Sequence, residues 1–309
     1  MQFERSDSEE IKMHSKSCSS FPQSDVLVHQ ASTVCSESFQ DRVQDLKEIY
    51  NEELSPTAVY LAFDTIFEKQ VVVKKIFKNK LDDYQIEQAR IECQIACNVN
   101  HFNLCKGYYS YENDEEFGIF MEYVDDAEYL VEKIENSHSP IKNELKMKSY
   151  VLDILEGLKQ IHSEGYVHLD IKLSNLYCIR KEIEGVRRVK VGDFGLCHKV
   201  DEKTGLAYVK YNCGTFGFKA PEIKDNSYVS QKADMWSLGM VLYMMACAYK
   251  PHQMKGYKYG TGPIPFRAFD WKKRSPELKQ FVEKLLDVNP ENRPTVEEAL
   301  KDPWFSTSD

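Results

Sequence analysis

The chain has 309 residues, 42% of them hydrophobic, and a formal net charge of −9. That length and apolar share can bury a sizeable core as one two-lobed domain or two small ones, and the negative charge argues against nucleic acid or an anionic membrane as the main partner. Nine cysteines form no Cys-x-x-Cys pair and have no histidines at zinc-finger spacing, which points to reduced thiols in the cytoplasm or nucleus rather than a disulfide framework.

Residues 1–40 are rich in serine, poor in aromatic residues and follow neither a period of 2 nor one of 3.6, so a disordered tail is expected there. The stretch is acidic and has no apolar segment of signal-peptide length. A folded domain is expected over 41–306. Strands are predicted at 58–62 and 71–77 from their β-branched and aromatic residues. The next segment, 83–98, places Ile86, Ala89, Cys93 and Ala96 on one helical face, with Glu92 beside it. Two apolar runs, 104–111 and 117–123, flank the polar stretch 112–116 and read as a hairpin. From Asn143 onward Met147, Tyr150, Ile154, Leu158 and Ile161 recur at helical spacing, and Gly165 closes the helix. A charged stretch between Ile179 and Val189 reads as a lengthened hairpin. The longest apolar run, 235–249, contains Ser237 and falls short of the ~20 residues of a bilayer span, so a buried helix is expected. Ser275-Pro276 marks a helix start with proline at the first helical position, and Thr295-Val-Glu-Glu298 is a capping box.

Chemistry concentrates in Tyr166-Val-His-Leu-Asp-Ile-Lys-Leu-Ser-Asn-Leu-Tyr-Cys-Ile179. Two apolar runs bracket Asp170, Lys172 and Asn175, so buried backbone is expected to hold three polar side chains at one spot. Asp170 can accept a proton from a hydroxyl, Lys172 can neutralise a transferring phosphoryl group, and the Asn175 amide oxygen can bind a hard cation such as Mg²⁺. Downstream, Val189-Lys-Val-Gly-Asp-Phe-Gly195 sets a second carboxylate, Asp193, at the end of a short strand. An ordinary strand–loop–strand would also accommodate Asp-Phe-Gly alone; the two motifs occurring in order are the stronger signal.

At these residues the sequence resembles the eukaryotic protein kinase superfamily, whose catalytic loop reads His-Arg-Asp-x-Lys-x-x-Asn and whose metal motif reads Asp-Phe-Gly. The resemblance covers about 260 residues and implies an α+β, two-lobed fold: a small β-rich lobe over about 43–124 and a larger, mainly helical lobe over about 125–306. It implies Asp170, Lys172 and Asn175 as catalytic residues, and Asn175 and Asp193 as ligands for Mg²⁺, with ATP as co-substrate. Lys74 would hold the α- and β-phosphates and pair with Glu92. Met121 would be the gatekeeper, Glu122 and Val124 would offer backbone groups to adenine, and Val59, Val72 and Leu176 would sandwich the ring. Asp234 in Asp-Met-Trp-Ser-Leu-Gly239 would brace the catalytic loop, and Arg293 would pair with Glu222 of Ala-Pro-Glu222. Lys172 and Gly214-Thr215 resemble the Ser/Thr branch, so a serine or threonine of a protein substrate is the expected acceptor. No membrane or nucleic-acid partner is implied, and room is left for a regulatory protein.

Three departures from the family pattern matter. Counting back from Val59, the glycine positions of the phosphate loop hold Glu52, Leu54 and Thr57, where side chains obstruct the close approach of backbone to phosphate. Val72 stands where alanine is usual and crowds the adenine pocket. Leu169 stands where an arginine usually binds a phosphate on the segment that follows Asp193, so dependence on phosphorylation of that segment is not expected. The first two favour an alternative, a pseudokinase scaffold with weak or no ATP turnover; the retained Lys74, Glu92, Asp170, Asn175 and Asp193 favour an active protein Ser/Thr kinase.

Overall fold

A computed structural model describes residues 27–29, 42–124, 127–179 and 188–307. The tail expected over 1–40 lies outside these residues except for β1 (Leu27–His29), a three-residue strand rather than part of an unstructured stretch. Its backbone pairs with the free edge of β5 (Gly107–Glu112), and such pairing satisfies an otherwise open row of donors and acceptors. Most of the charged excursion between Ile179 and Val189 also falls outside the described residues.

The small lobe is a six-stranded antiparallel sheet with the spatial order β1, β5, β6 (Glu116–Glu122), β4 (Lys69–Phe77), β3 (Thr57–Asp64) and β2 (Val43–Asn51). Strand periodicity explains its two faces. On β4, Val71 and Val73 point away from the large lobe and pack with Ala62 and Phe120, whereas Val72 and Lys74 point to the opposite side. On the outer face the Arg42 guanidinium lies 3.7 Å from the Tyr109 ring centroid and donates to buried Asp64 at 2.9 Å, closing the far edge of the sheet. One helix, α1 (Asp83–Asn98), crosses the inner side. Asp82 caps it: its carboxylate accepts from the Gln85 amide at 2.8 Å, while the Gln85 side chain accepts from the Asp82 amide at 3.0 Å.

The large lobe is built around α2 (Glu144–Ser163) and α3 (Lys232–Cys247). Asn143 caps α2, and Gly165, at φ +78°, supplies the left-handed turn just past its end. Buried residues all round α3 make 235–247 of the apolar run a core helix; it stops at Cys247, where Ala248 turns left-handed at φ +61°, two residues short of the expected end. Among the described residues no helix is long and apolar enough to cross a membrane. Ser275 caps α5 (Pro276–Leu285), which follows the short α4 (Ala268–Trp271), and Thr295 with Glu298 caps α6 (Val296–Ala299). Arg293, fully buried, grips both oxygens of Glu222 at 2.6 and 2.8 Å. These helices form the base on which the strands and loops facing the small lobe rest.

Candidate active site

The lower wall of the interlobe cleft is a loop held from beneath. β8 (Tyr166–Val167) leads into it, and β9 (Leu176–Ile179), paired on one side with β7 (Ala127–Tyr129) and on the other with β10 (Val189–Val191), leads out. Asp234 is completely buried, and its carboxylate accepts from the amides of His168 and Leu169 and from His162 Nε2, each at 2.8 Å. A carboxylate anion can only accept, so the His162 ring carries a proton on Nε2. Burial pushes the Asp234 carboxyl upward, but the hydrogen bond and charge of His162 outweigh this and hold it below its ordinary value. The bracing is needed because Leu169 sits at φ +64°, a conformation that costs a non-glycine residue about 1–3 kcal/mol.

With the loop fixed, Asp170 receives donors on both oxygens. Lys172 Nζ lies 2.6 Å from Oδ2 and Thr215 Oγ1 lies 2.8 Å from Oδ1, and Lys172 also donates to Thr215 at 3.0 Å. Asn175 Nδ2 donates to the Asp170 carbonyl at 3.0 Å and to Oδ2 at 3.2 Å. This use of the amide nitrogen leaves the Asn175 amide oxygen as a hard ligand.

The upper wall comes from the sheet. Register pairs Val59 with Lys74 and Val72 with Met121, which sets these side chains along one face. Lys74 Nζ lies 2.6 Å from Glu92 of α1 and 3.0 Å from Asp193. Phe194 is buried beside His168, ring centroids 5.9 Å apart, and Asp193, at φ +62°, faces the cleft instead. Gly195 allows this clasp: a Cβ there would stand 3.1 Å from Lys74 Nζ and 3.3 Å from Asp193 Oδ1. The charge of Lys74 beside Asp193 holds that carboxyl down to about 2, so it is an anion at neutral pH. For Lys74, burial works downward, but the Asp193 and Glu92 charges prevail and raise it. Burial pushes Glu92 upward despite the lysine.

Between the walls lies a cleft of about 720 Å³. Of the residues predicted from sequence, Thr57, Val59, Val72 and Lys74 line it from β3 and β4, Glu92 from α1, Met121 and Glu122 from the end of β6, Val124 from the connection between lobes, and Asn175 and Asp193 from below. Three predicted residues need correction. Glu52 and Leu54 do not line the cleft; the turn carrying them projects into solvent, with Leu54 93% exposed. Lys80 draws it outward by donating to the carbonyls of Glu53 at 2.7 Å and Ser55 at 2.8 Å. Leu176 is fully buried opposite Val191, and its neighbour Tyr177 lines the cleft, because side chains alternate along β9. Asp170 and Lys172 are not among the residues that line the cleft; they lie next to it, joined to Asn175 through the Asp170 carboxylate.

Residues 55–305 match the protein kinase domain family. The chain belongs to the protein kinase superfamily. It is 30% identical over 225 residues to myosin light chain kinase family member 4 of Homo sapiens, an overlap of 71% of this chain and 56% of that protein. It is 31% identical over 265 residues to serine/threonine-protein kinase cds1 of Schizosaccharomyces pombe, covering 81% and 55% of the two chains. To maternal embryonic leucine zipper kinase of Xenopus laevis it is 30% identical over 259 residues, covering 80% and 37%. This kinase chain therefore spans little more than half the length of the first two relatives and less of the third.

The kinase cleft also takes in residues that sequence reasoning missed. Ile49 and Tyr50 reach it from β2, and Cys105 reaches it from the loop before β5. Strand alternation after Asn175 would have found Tyr177. For Cys105 no local signal exists, since Sγ is placed there by the close approach of Gly192, where a Cβ would lie 2.9 Å from it.

Proposed function

We propose that the chain is a protein Ser/Thr kinase that transfers the γ-phosphoryl group of ATP to a protein hydroxyl. The observation that carries this is the Asp170 carboxylate, bonded to Lys172, Thr215 and Asn175 on a braced loop, with Asn175 in turn lining the cleft where Lys74 is clasped by Glu92 and Asp193. In that reaction the substrate oxygen bonds to the γ-phosphorus as the bond to the bridging oxygen of ADP breaks, and the hydroxyl proton passes to Asp170. Lys172 and Lys74 offset phosphate charge. Thr215, shared between Asp170 and Lys172, supports a serine or threonine acceptor as the family resemblance implies.

The donor set fits magnesium: an anionic carboxylate and an amide oxygen are hard ligands. Asn175 and Asp193 would hold the ion. When bound, Mg²⁺ would supply neutralisation of the charge on the transferring group. Free thiols at all described cysteines support a cytoplasmic or nuclear setting.

The second reading, a pseudokinase scaffold, is favoured by the glycine-free turn that Lys80 ties outward. A radiolabelled ATP transfer assay with generic protein acceptors, run with Mg²⁺, with EDTA and beside Asp170→Asn, separates the two. Label transfer that requires Mg²⁺ and Asp170 supports the kinase; no transfer by the folded, unsubstituted chain supports the scaffold.

A further inference from the structure

The helix that carries Glu92 is tied at its other end to the segment that follows Asp193. Tyr84, in the first turn of α1 and about two turns before Glu92, directs its hydroxyl to three partners: His198 Nε2 at 2.8 Å, the Lys210 amide at 3.1 Å and the Tyr208 carbonyl at 3.2 Å. His198 lies in β11 (His198–Lys199), and its other ring nitrogen meets the Leu196 carbonyl at 2.8 Å. A carbonyl only accepts, so the proton sits on Nδ1 and Nε2 is left to accept; the single Tyr84 hydroxyl proton is therefore directed to Nε2, the nearer acceptor, with the Tyr208 carbonyl as a longer, shared one, while the hydroxyl oxygen accepts from the Lys210 amide. Asp82, the cap of α1, is used a second time: Lys210 Nζ lies 3.1 Å from its Oδ2, and the Tyr211 hydroxyl donates to the same oxygen. The rings of Tyr208 and Tyr211 both meet the Tyr84 ring edge-on, with centroids 6.4 and 5.8 Å apart.

This network joins parts of the chain that are otherwise only lightly connected. Tyr208 belongs to β12 (Ala207–Val209), a short strand whose sheet partner is β13 (Ser227–Val229) in the large lobe, whereas Tyr84 belongs to the small lobe. Unmodified side chains make every one of these contacts. Leu169, buried below, offers no cation that could hold the segment from the catalytic loop.

We propose that Tyr84 is a positioning residue that acts through Glu92: its hydroxyl, with the Asp82 carboxylate, clasps residues 196–211 to the first turn of α1 and so keeps the helix where Glu92 meets Lys74. The proposal rests on the kinase reading for its effect on rate, but the clasp itself is independent of turnover. A helix free to rotate at its first turn would carry Glu92 away from Lys74, and a displacement of about 1 Å in a catalytic array can lower rate by as much as 10²-fold.

The test pairs two measurements on the full chain. In the first, Tyr84→Phe is made alone and in a Glu92→Gln background, with Tyr108→Phe, on the outer face of the small-lobe sheet, as control. The expected result is a fall of about tenfold in kcat for Tyr84→Phe alone and less than about twofold in the Glu92→Gln background, since two residues acting through one interaction are not additive. Losses that multiply, or a silent Tyr84→Phe, overturn the proposal, and general destabilisation by the substitution would give the multiplying result. In the second, amide hydrogen exchange is followed over 83–90 and 207–211. Faster exchange in both stretches for Tyr84→Phe supports the clasp, and unchanged exchange overturns it. Should the unsubstituted chain transfer no phosphate, the kinase reading fails on that observation while the exchange result still decides whether the clasp exists.

Discussion

The two rims of the cleft are held in different ways. On the lower rim, both oxygens of Asp170 are bonded to side chains, and Asp234 beneath accepts three hydrogen bonds that fix a left-handed Leu169. On the upper rim, the turn between β2 and β3 rests on two backbone bonds, from the Ser55 amide to the Glu52 carbonyl at 2.9 Å and from the Phe77 amide to the Pro56 carbonyl at 2.8 Å, on the Ser55 hydroxyl, which accepts from the Thr57 amide at 3.1 Å, and on Lys80, with no buried carboxylate beneath it among the described residues. Groups proposed to handle the proton and metal are over-determined, while the groups nearest the expected phosphate path are tied away from it. Binding of nucleotide and chemistry on it are therefore separable in this chain, and changes at the two rims should differ in kind.

The largest effect should come from the lower rim. Asp170→Asn keeps the shape of the side chain but removes the proton acceptor, and loss of a general base costs about 10²–10⁴-fold in rate. We expect kcat for label transfer to fall by about 10³-fold with a melting temperature close to that of the unsubstituted chain. A loss of less than about tenfold would assign the proton to another group.

Next in size is the brace. Asp234→Ala leaves the amides of His168 and Leu169 without their buried acceptor, and each such orphan costs about 1–3 kcal/mol. Chemical denaturation should show about 3 kcal/mol of lost stability, well above the effect of any substitution in the 52–54 turn. A loss under about 1 kcal/mol would mean that the loop conformation is held by other contacts.

How much of this contrast is legible in the sequence depends on whether a feature is local. The bounds of α1, 83–98, follow from its apolar period, and the Asp170, Lys172 and Asn175 cluster follows from one motif. The family resemblance implies Leu176 at the cleft, whereas alternation along β9, a local rule readable in the sequence, buries Leu176 and turns Tyr177 to the cleft. The outward set of the turn was not legible, because the lysine that causes it lies 25 residues from the carbonyl of Ser55. The Tyr84 hydroxyl and the Lys210 amide are separated by 126 residues and belong to no common pattern.

A smaller effect should appear in the pH dependence of stability. Burial holds His198 below the ordinary histidine value. A base depressed in the folded state contributes stability that is fully present above its unfolded pKa of about 6.5 and is lost as pH falls below that value, because the unfolded chain takes up the proton first. Melting temperature should therefore fall between pH 7.5 and 5.5, and His198→Gln, which keeps an acceptor for Tyr84, should fall less steeply. Equal slopes would show that His198 contributes nothing to the transition.

The smallest effect is expected where departure from the family pattern is greatest. If Glu52, Leu54 and Thr57 merely blocked phosphate, replacing all three with glycine would lower the KM for ATP sharply. The geometry argues otherwise. Glu52 and Leu54 already lie off the cleft, and φ is not positive at any of the three positions, so glycine's freedom is not being denied there. What restrains the turn is Lys80, whose ammonium occupies the carbonyls of Glu53 and Ser55. Glycine also adds about 0.5–1 kcal/mol per position of ordering entropy when the turn settles on a ligand. The triple glycine variant should thus shift the KM for ATP by less than about threefold, ~0.6 kcal/mol, and adding Lys80→Ala should lower it further by releasing the carbonyls. A tenfold fall with the three glycines alone would mean that the side chains, not the lysine, keep the turn from closing over phosphate.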